Sequence, residues 1–159
     1  MAAVVANPHI NITEITANMK AEGVQSPEIE AIVKALSDDT IWKTIEGFKG
    51  KDMSTQEKMI NNMVAGGHLP QVGVPLPTPV NPTDPHVISV AKFAVAKYND
   101  KHGTKLVFNR VNGGLQWKIV IGTLYILVLA TQDSKGTYTD YAVVFETFLG
   151  QKYLFWYKH

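Results

Sequence analysis

An amphipathic pattern in the second half of the chain constrains the fold most. Between residues 87 and 98, apolar side chains recur at the spacing that places them on one face of an α-helix. They are Val87, Val90, Ala91, Ala94, Val95 and Tyr98. The residues that follow are rich in strand formers. One amphipathic helix followed by several antiparallel strands predicts an α+β fold, in which a curled sheet wraps around the helix.

Five segments after this helix have the β-branched and aromatic composition of strands. They are residues 104–111, 115–121, 123–131, 138–148 and 152–157. The segments Asn112-Gly113-Gly114 and Asp133-Ser134-Lys135-Gly136 predict turns, because their residues tolerate positive φ. Connections this short favour an antiparallel sheet.

A proline-rich segment precedes the helix. Residues 66–79 contain three glycines and four prolines, so a helix cannot pass through them. The prolines favour a semi-rigid extended arm. We therefore predict a helical domain over residues 1–66, a linker over 67–85 and an α+β domain over 86–159.

The first half has several helix-start signals. Asn11 with Glu14, and Ser54 with Glu57, have capping-box spacing, and Ser26-Pro27 places proline at the start of a helix. They predict a small bundle of three or four helices over residues 10–65. Methionines at helical spacing in this half are expected to fill the core rather than to form a binding surface.

Composition argues against several classes of function. The chain has no cysteine, so a thiol nucleophile, a thiolate metal site and disulfides are excluded. Its five histidines are scattered without metal-ligand spacing or a catalytic motif, and we expect no enzyme activity, cofactor or metal. The net charge of +1, without a basic run, argues against nucleic acid.

Membrane association and export are not expected either. The longest apolar run, residues 124–130, is far shorter than the roughly 20 residues that span a bilayer. The first residues lack the basic start and apolar length of a signal peptide, which predicts a cytoplasmic location.

Three segments of the second half resemble plant cystatins. Val90-Ala91-Lys92-Phe93-Ala94-Val95 is similar to the helix signature Leu-Ala-Arg-Phe-Ala-Val of that family. Gly122-Thr123-Leu124-Tyr125-Ile126-Leu127 and Tyr141-Ala142-Val143-Val144-Phe145-Glu146 resemble two of its strands. The resemblance covers residues 72–158 and implies the cystatin fold.

The resemblance implies inhibition of papain-like cysteine proteases by a wedge of three parts, which are a trunk glycine and two hairpin loops. The residues that align with these parts are Gly73 of the trunk, Lys118, Ile119, Val120, Ile121 and Gly122 of the first loop, and Phe148 and Leu149 of the second loop. The sequence departs from the family's loop motifs at two places. Lys118 replaces the glutamine of the first loop, and the second loop lacks the Pro-Trp pair. Together they would weaken binding by roughly 3–5 kcal/mol.

A non-inhibitory role is the alternative. Plant proteins that resemble cystatins include structural phloem filament proteins, and the added helical half could reach a neighbouring subunit and form a homo-oligomer or filament. The aromatic run Tyr153–Tyr157 would support self-association if an edge strand exposed it, but a packed last strand is the expected arrangement. Inhibition of another protease class through altered loops is a third possibility.

Overall fold

The computed structural model describes residues 10–69 and 75–159 of the chain. Its helices are α1 (Ile12–Ala21), α2 (Ser26–Leu36), α3 (Asp39–Glu46), α4 (Met53–Ala65) and α5 (Pro85–His102). Its strands are β1 (Thr78–Pro79), β2 (Val107–Ile119), β3 (Gly122–Asp133), β4 (Gly136–Thr147) and β5 (Lys152–Lys158). The strands form one antiparallel sheet in the order β1-β2-β3-β4-β5. The predicted α+β class is confirmed.

Helix α5 forms as its pattern predicts. The Asp84 carboxylate accepts a hydrogen bond from the His86 amide at 2.8 Å and caps the first turn, and Gly103 ends the helix at φ 63°. The apolar stripe is buried against one face of the sheet, where it meets side chains of β3 and β4 such as Leu127 and Val144. This layer is the one that the amphipathic pattern predicts.

Helices α1 to α4, which we call the helical region, cover the opposite face of the sheet. Trp42 of α3 lies over this face, with its ring centre 5.6 Å from that of Tyr141 and 6.0 Å from that of Trp156. Residues of β2, β3, β4 and β5 share one hydrophobic cluster with the helices. The sheet is therefore buried on both faces, and Leu115 and Trp117 pack against the helical region rather than against α5. The division into domains stays a prediction.

The predicted turn at Asn112-Gly113-Gly114 is wrong. These residues lie within β2, which continues through two register shifts. The glycines permit close backbone approach instead. A Cβ on Gly114 would lie 2.6 Å from the Ile126 carbonyl oxygen, and one on Gly113 would lie 3.3 Å from the Ile45 carbonyl oxygen at the end of α3.

Two of the predicted helix starts are shifted. Asn11 caps α1 as predicted, since its side chain accepts from the Glu14 amide at 3.0 Å. Helix α4, however, is capped by Asp52, which accepts from the Thr55 amide at 2.8 Å, and Ser26 already lies inside α2, after Gln25. The three methionines of α4 differ in burial. Met63 is buried, Met59 is half-buried and Met53 is exposed, so not all of them fill the core.

The two edges of the sheet are the short strand β1, which pairs only with Leu115 and Gln116 of β2, and β5, which lies beside α1. At one edge, β1 has two residues and ends in Pro79, which has no amide proton. At the other, Phe155 of β5 lies at a register shift and its carbonyl accepts from the Asn18 side chain of α1 at 3.1 Å. Phe155 and Trp156 are buried, so the packed arrangement of the last strand holds.

Candidate functional site

The two predicted inhibitory loops lie side by side at one end of the sheet. A two-residue turn, Val120 and Ile121, joins β2 to β3, and residues 148–151 join β4 to β5. Gly122, the first residue of β3, pairs directly with Thr147, the last residue of β4. The register therefore brings both turns to the same end.

Residues of the first turn point in two directions. Val120 is 58% exposed, and Lys118 is also exposed. Ile119 is buried and Ile121 is half-buried, both against the cluster that the sheet shares with the helical region. The turn therefore rests on a packed base and presents Val120 to solvent.

Gly122 is required by its surroundings. A Cβ on this residue would lie 2.2 Å from the Glu146 carbonyl oxygen and 2.9 Å from the Phe145 ring. No side chain fits there without moving the paired backbone of β4. The glycine thus keeps the bases of the two turns in close contact.

The second turn exposes two large apolar side chains. Phe148 is 76% exposed and Leu149 is 89% exposed. The turn is closed by backbone hydrogen bonds from the Thr147 amide to the Gln151 carbonyl at 2.9 Å and from the Gly150 amide to the Thr147 carbonyl at 3.0 Å. With Val120, these are the three most exposed large apolar side chains of the described residues, and we call them the hairpin tip.

The extended arm runs toward the same end. Thr78 pairs with Gln116 in antiparallel register, so the residues before it follow β2 toward the first turn. The Trp117 indole donates to the Pro75 carbonyl at 2.7 Å and fixes the arm there. Gly73, the predicted trunk residue, lies outside the described residues.

A buried carboxylate lies at the base of the second turn. Glu146, buried at the end of β4, contacts His86 Nε2 at 2.6 Å through one oxygen and Lys152 Nζ at 3.4 Å through the other. Burial, with Glu146 and Asp84 nearby, raises the pKa of Tyr125 to about 12, so its phenol stays neutral. These contacts tie both strands of the hairpin to the start of α5.

Sequence reasoning missed one residue of this end of the molecule. The Val120 amide donates to the Glu28 carboxylate of α2 at 3.0 Å, across a separation of 92 residues. Glu28 is only 5% exposed. From the sequence it is simply an acid at a helix start, and only the packing of α2 on the sheet brings it to the turn.

Two further observations come from the described parts of the chain. Within residues 10–69 and 75–159, no three His, Asp or Glu side chains cluster as a metal site would require. None of the helices in these ranges has the length and hydropathy of a membrane span.

Comparisons with known proteins agree with this geometry. Residues 80–158, which include both turns, match the aspartic acid proteinase inhibitor family. The chain is also 36% identical over 64 residues to cysteine proteinase inhibitor 5 of Arabidopsis thaliana, an alignment covering 40% of this chain and 52% of that protein. The chain thus spans about half the length of the curated relative. Both matches are to proteinase inhibitors and not to enzymes. Together with the observed architecture, they show that the second half of the chain has a cystatin-like fold.

Proposed function

We propose that this protein inhibits a protease by inserting the hairpin tip into the active-site cleft. The observation that carries the proposal is the clustering of Val120, Phe148 and Leu149, all exposed, on two adjacent closed turns. The backbone of these turns is fixed by hydrogen bonds before binding, so their apolar side chains can lose water contact in the complex with little loss of backbone entropy. Such a plug inhibits without any chemical step.

The residues of the two turns have different roles in this proposal. Val120, Phe148 and Leu149 make the apolar contact with the protease, and Lys118 lies at its rim. Ile119, Ile121 and Gly122 hold the first turn in shape, since they are packed rather than exposed. Gly73 remains part of the proposal as the trunk glycine.

The target class has two candidates. Similarity to a plant cysteine proteinase inhibitor supports a papain-like cysteine protease. The family match over both turns supports an aspartic protease. Lys118 and the missing Pro-Trp pair depart from the cysteine-protease pattern at the residues that would enter the cleft. We therefore place an aspartic protease first and a papain-like protease second.

A titration of both enzymes tests the proposal. The full chain is added to pepsin and to papain, beside a Phe148→Ala/Leu149→Ala double variant. Val107→Ala is the matched control, because Val107 is 54% exposed and pairs with Gln132, at the opposite end of the sheet. We expect the full chain to inhibit one of the two enzymes. For that enzyme, the Ki of the double variant should rise about 30-fold or more, and the Ki of the control should not change. Inhibition of neither enzyme by the full chain would refute the proposal for these two classes.

Self-association, the alternative function, has less support. Assembly through the β5 edge is disfavoured because Asn18 of α1 occupies the Phe155 carbonyl. A filament would have to use another surface, such as the hairpin tip. Particle growth with concentration on sizing, lost in the double variant, would favour assembly over inhibition.

A further inference from the structure

A buried carboxylate links the helical region to the first turn. One oxygen of Glu28 accepts from the Val120 amide at 3.0 Å. The other is buried without a hydrogen-bond partner among the described residues. A buried carboxylate with a single neutral donor is costly to keep. Its position against the backbone of Val120, the most exposed residue of the turn, points to a role at that turn.

The helix that carries Glu28 is itself firmly seated. Ile29 and Ile32 follow it on α2 and are buried in the cluster that contains Trp117 and Ile119 of β2. The carboxylate and the strand leading to the turn are thus held by one packed interface. Motion of the turn away from α2 would break the bond to Val120 and leave the carboxylate with no partner.

We propose that Glu28 is a positioning residue for the first inhibitory turn, and that the helical region is therefore a working part of the inhibitor. This inference rests on the proposed function. Glu28 does not touch the protease; it fixes the Val120 backbone so that the exposed side chain enters the cleft without prior ordering of the turn. The helical region thereby contributes to affinity through a residue that no loop motif contains.

The test combines hydrogen exchange with inhibition in the full-length protein. Three variants are compared: Glu28→Ala removes the acceptor, Glu28→Gln keeps an acceptor oxygen of the same size, and Glu30→Ala changes an exposed acid of the same helix. Exchange is followed in peptides covering residues 117–123, and Ki is measured on whichever protease the parent inhibits. Far-ultraviolet circular dichroism confirms that each variant is folded.

We expect Glu28→Ala to speed exchange at the turn and to raise Ki about tenfold, as the loss of one charge-assisted hydrogen bond would. Glu28→Gln should lie between Glu28→Ala and the parent in both measurements, because its amide oxygen still accepts from Val120 but carries no charge. Glu30→Ala should change neither exchange nor Ki. If Glu28→Ala does not fold, Glu28→Met takes its place, because it removes the acceptor oxygen but keeps the side-chain volume. Faster exchange with a raised Ki in Glu28→Met supports the proposal, and unchanged exchange and Ki overturn it. Unchanged Ki in a folded Glu28→Ala variant overturns this inference alone, whereas a parent that inhibits neither protease overturns the proposed function and this inference with it.

Discussion

At the scale of single residues, the candidate site depends on a glycine that has no room for a side chain. We expect Gly122→Ala to lower the free energy of unfolding by about 2 kcal/mol, because the new methyl group would overlap the Glu146 carbonyl and the Phe145 ring. Urea denaturation measures this change. Relief of the overlap would separate the strands at the base of the two turns, so inhibition should weaken in the same variant.

Gly47→Ala is the matched control for this substitution. Gly47 follows α3, and its Cβ would meet the Met59 methyl at 3.1 Å, the flexible end of a side chain. We expect a much smaller loss of stability there. Equal losses in the two variants would show that the close approach at Gly122 has no special cost.

The same scale shows what sequence reasoning can reach. Gly122 could be assigned to the first turn because the resemblance aligns it with the glycine of the family's first-loop motif, and its role in protease binding stays a prediction. Gly113 and Gly114 were misinterpreted, because a glycine pair suits a turn as well as a close backbone approach, and only the partner decides. Glu28 could not be predicted, since its partner is 92 residues away and no local pattern connects them.

At the scale of elements, the structure agrees best with prediction where one helix has one strong pattern. Helix α5 buries its apolar stripe where the sequence places it. The helical region was predicted as a bundle, yet its packing partner was not, because amphipathic helices do not specify which surface covers them. Helix α3 illustrates this point, since its Trp42 packs on Tyr141 and Trp156 of the sheet.

The cap of α3 makes the stability of this region depend on pH. Asp38 accepts from the Thr40 amide at 2.9 Å and from His68. Burial acts to raise the pKa of Asp38, but the bonds from Thr40 and His68 outweigh it and hold the pKa below its ordinary value of 3.8. A carboxylate whose pKa is depressed in the folded state stabilises the protein above its unfolded pKa, and that contribution is lost as pH falls through the folded pKa.

We therefore expect the parent protein to lose more thermal stability between about pH 5.5 and about pH 3 than Asp38→Asn, whose side chain still accepts from Thr40 but does not titrate. Thermal unfolding followed by circular dichroism at the two pH values gives the comparison. Asp100→Asn, at an exposed position of α5, should behave like the parent. This result matters for the proposed target class. An inhibitor of an aspartic protease that acts in acid has to remain folded at low pH. If Asp38→Asn and the parent lose equal thermal stability in acid, Asp38 is not the cause of the pH dependence.

At the scale of the whole molecule, the sheet lies between two helical layers, and each of its faces has its own hydrophobic cluster. Removing the helical region would uncover the face that carries Trp117, Phe145, Phe155 and Trp156, all buried in the full chain. Exposed apolar patches larger than a few hundred square ångströms are rare on monomeric proteins and promote association. The shared cluster argues that the α+β unit depends on the helical region, and a fragment without that region tests the predicted division into domains.

We expect a fragment of residues 71–159 to aggregate or to bind a hydrophobic dye strongly, while the full chain does neither at the same concentration. Sizing with light scattering, together with dye fluorescence, measures both effects. A fragment that is monomeric, unfolds cooperatively and inhibits as well as the full chain would show instead that the α+β unit is independent and that the bond from Val120 to Glu28 is dispensable. Because an aggregated fragment cannot inhibit whatever its turns look like, only the full chain can decide whether the hairpin tip blocks a protease.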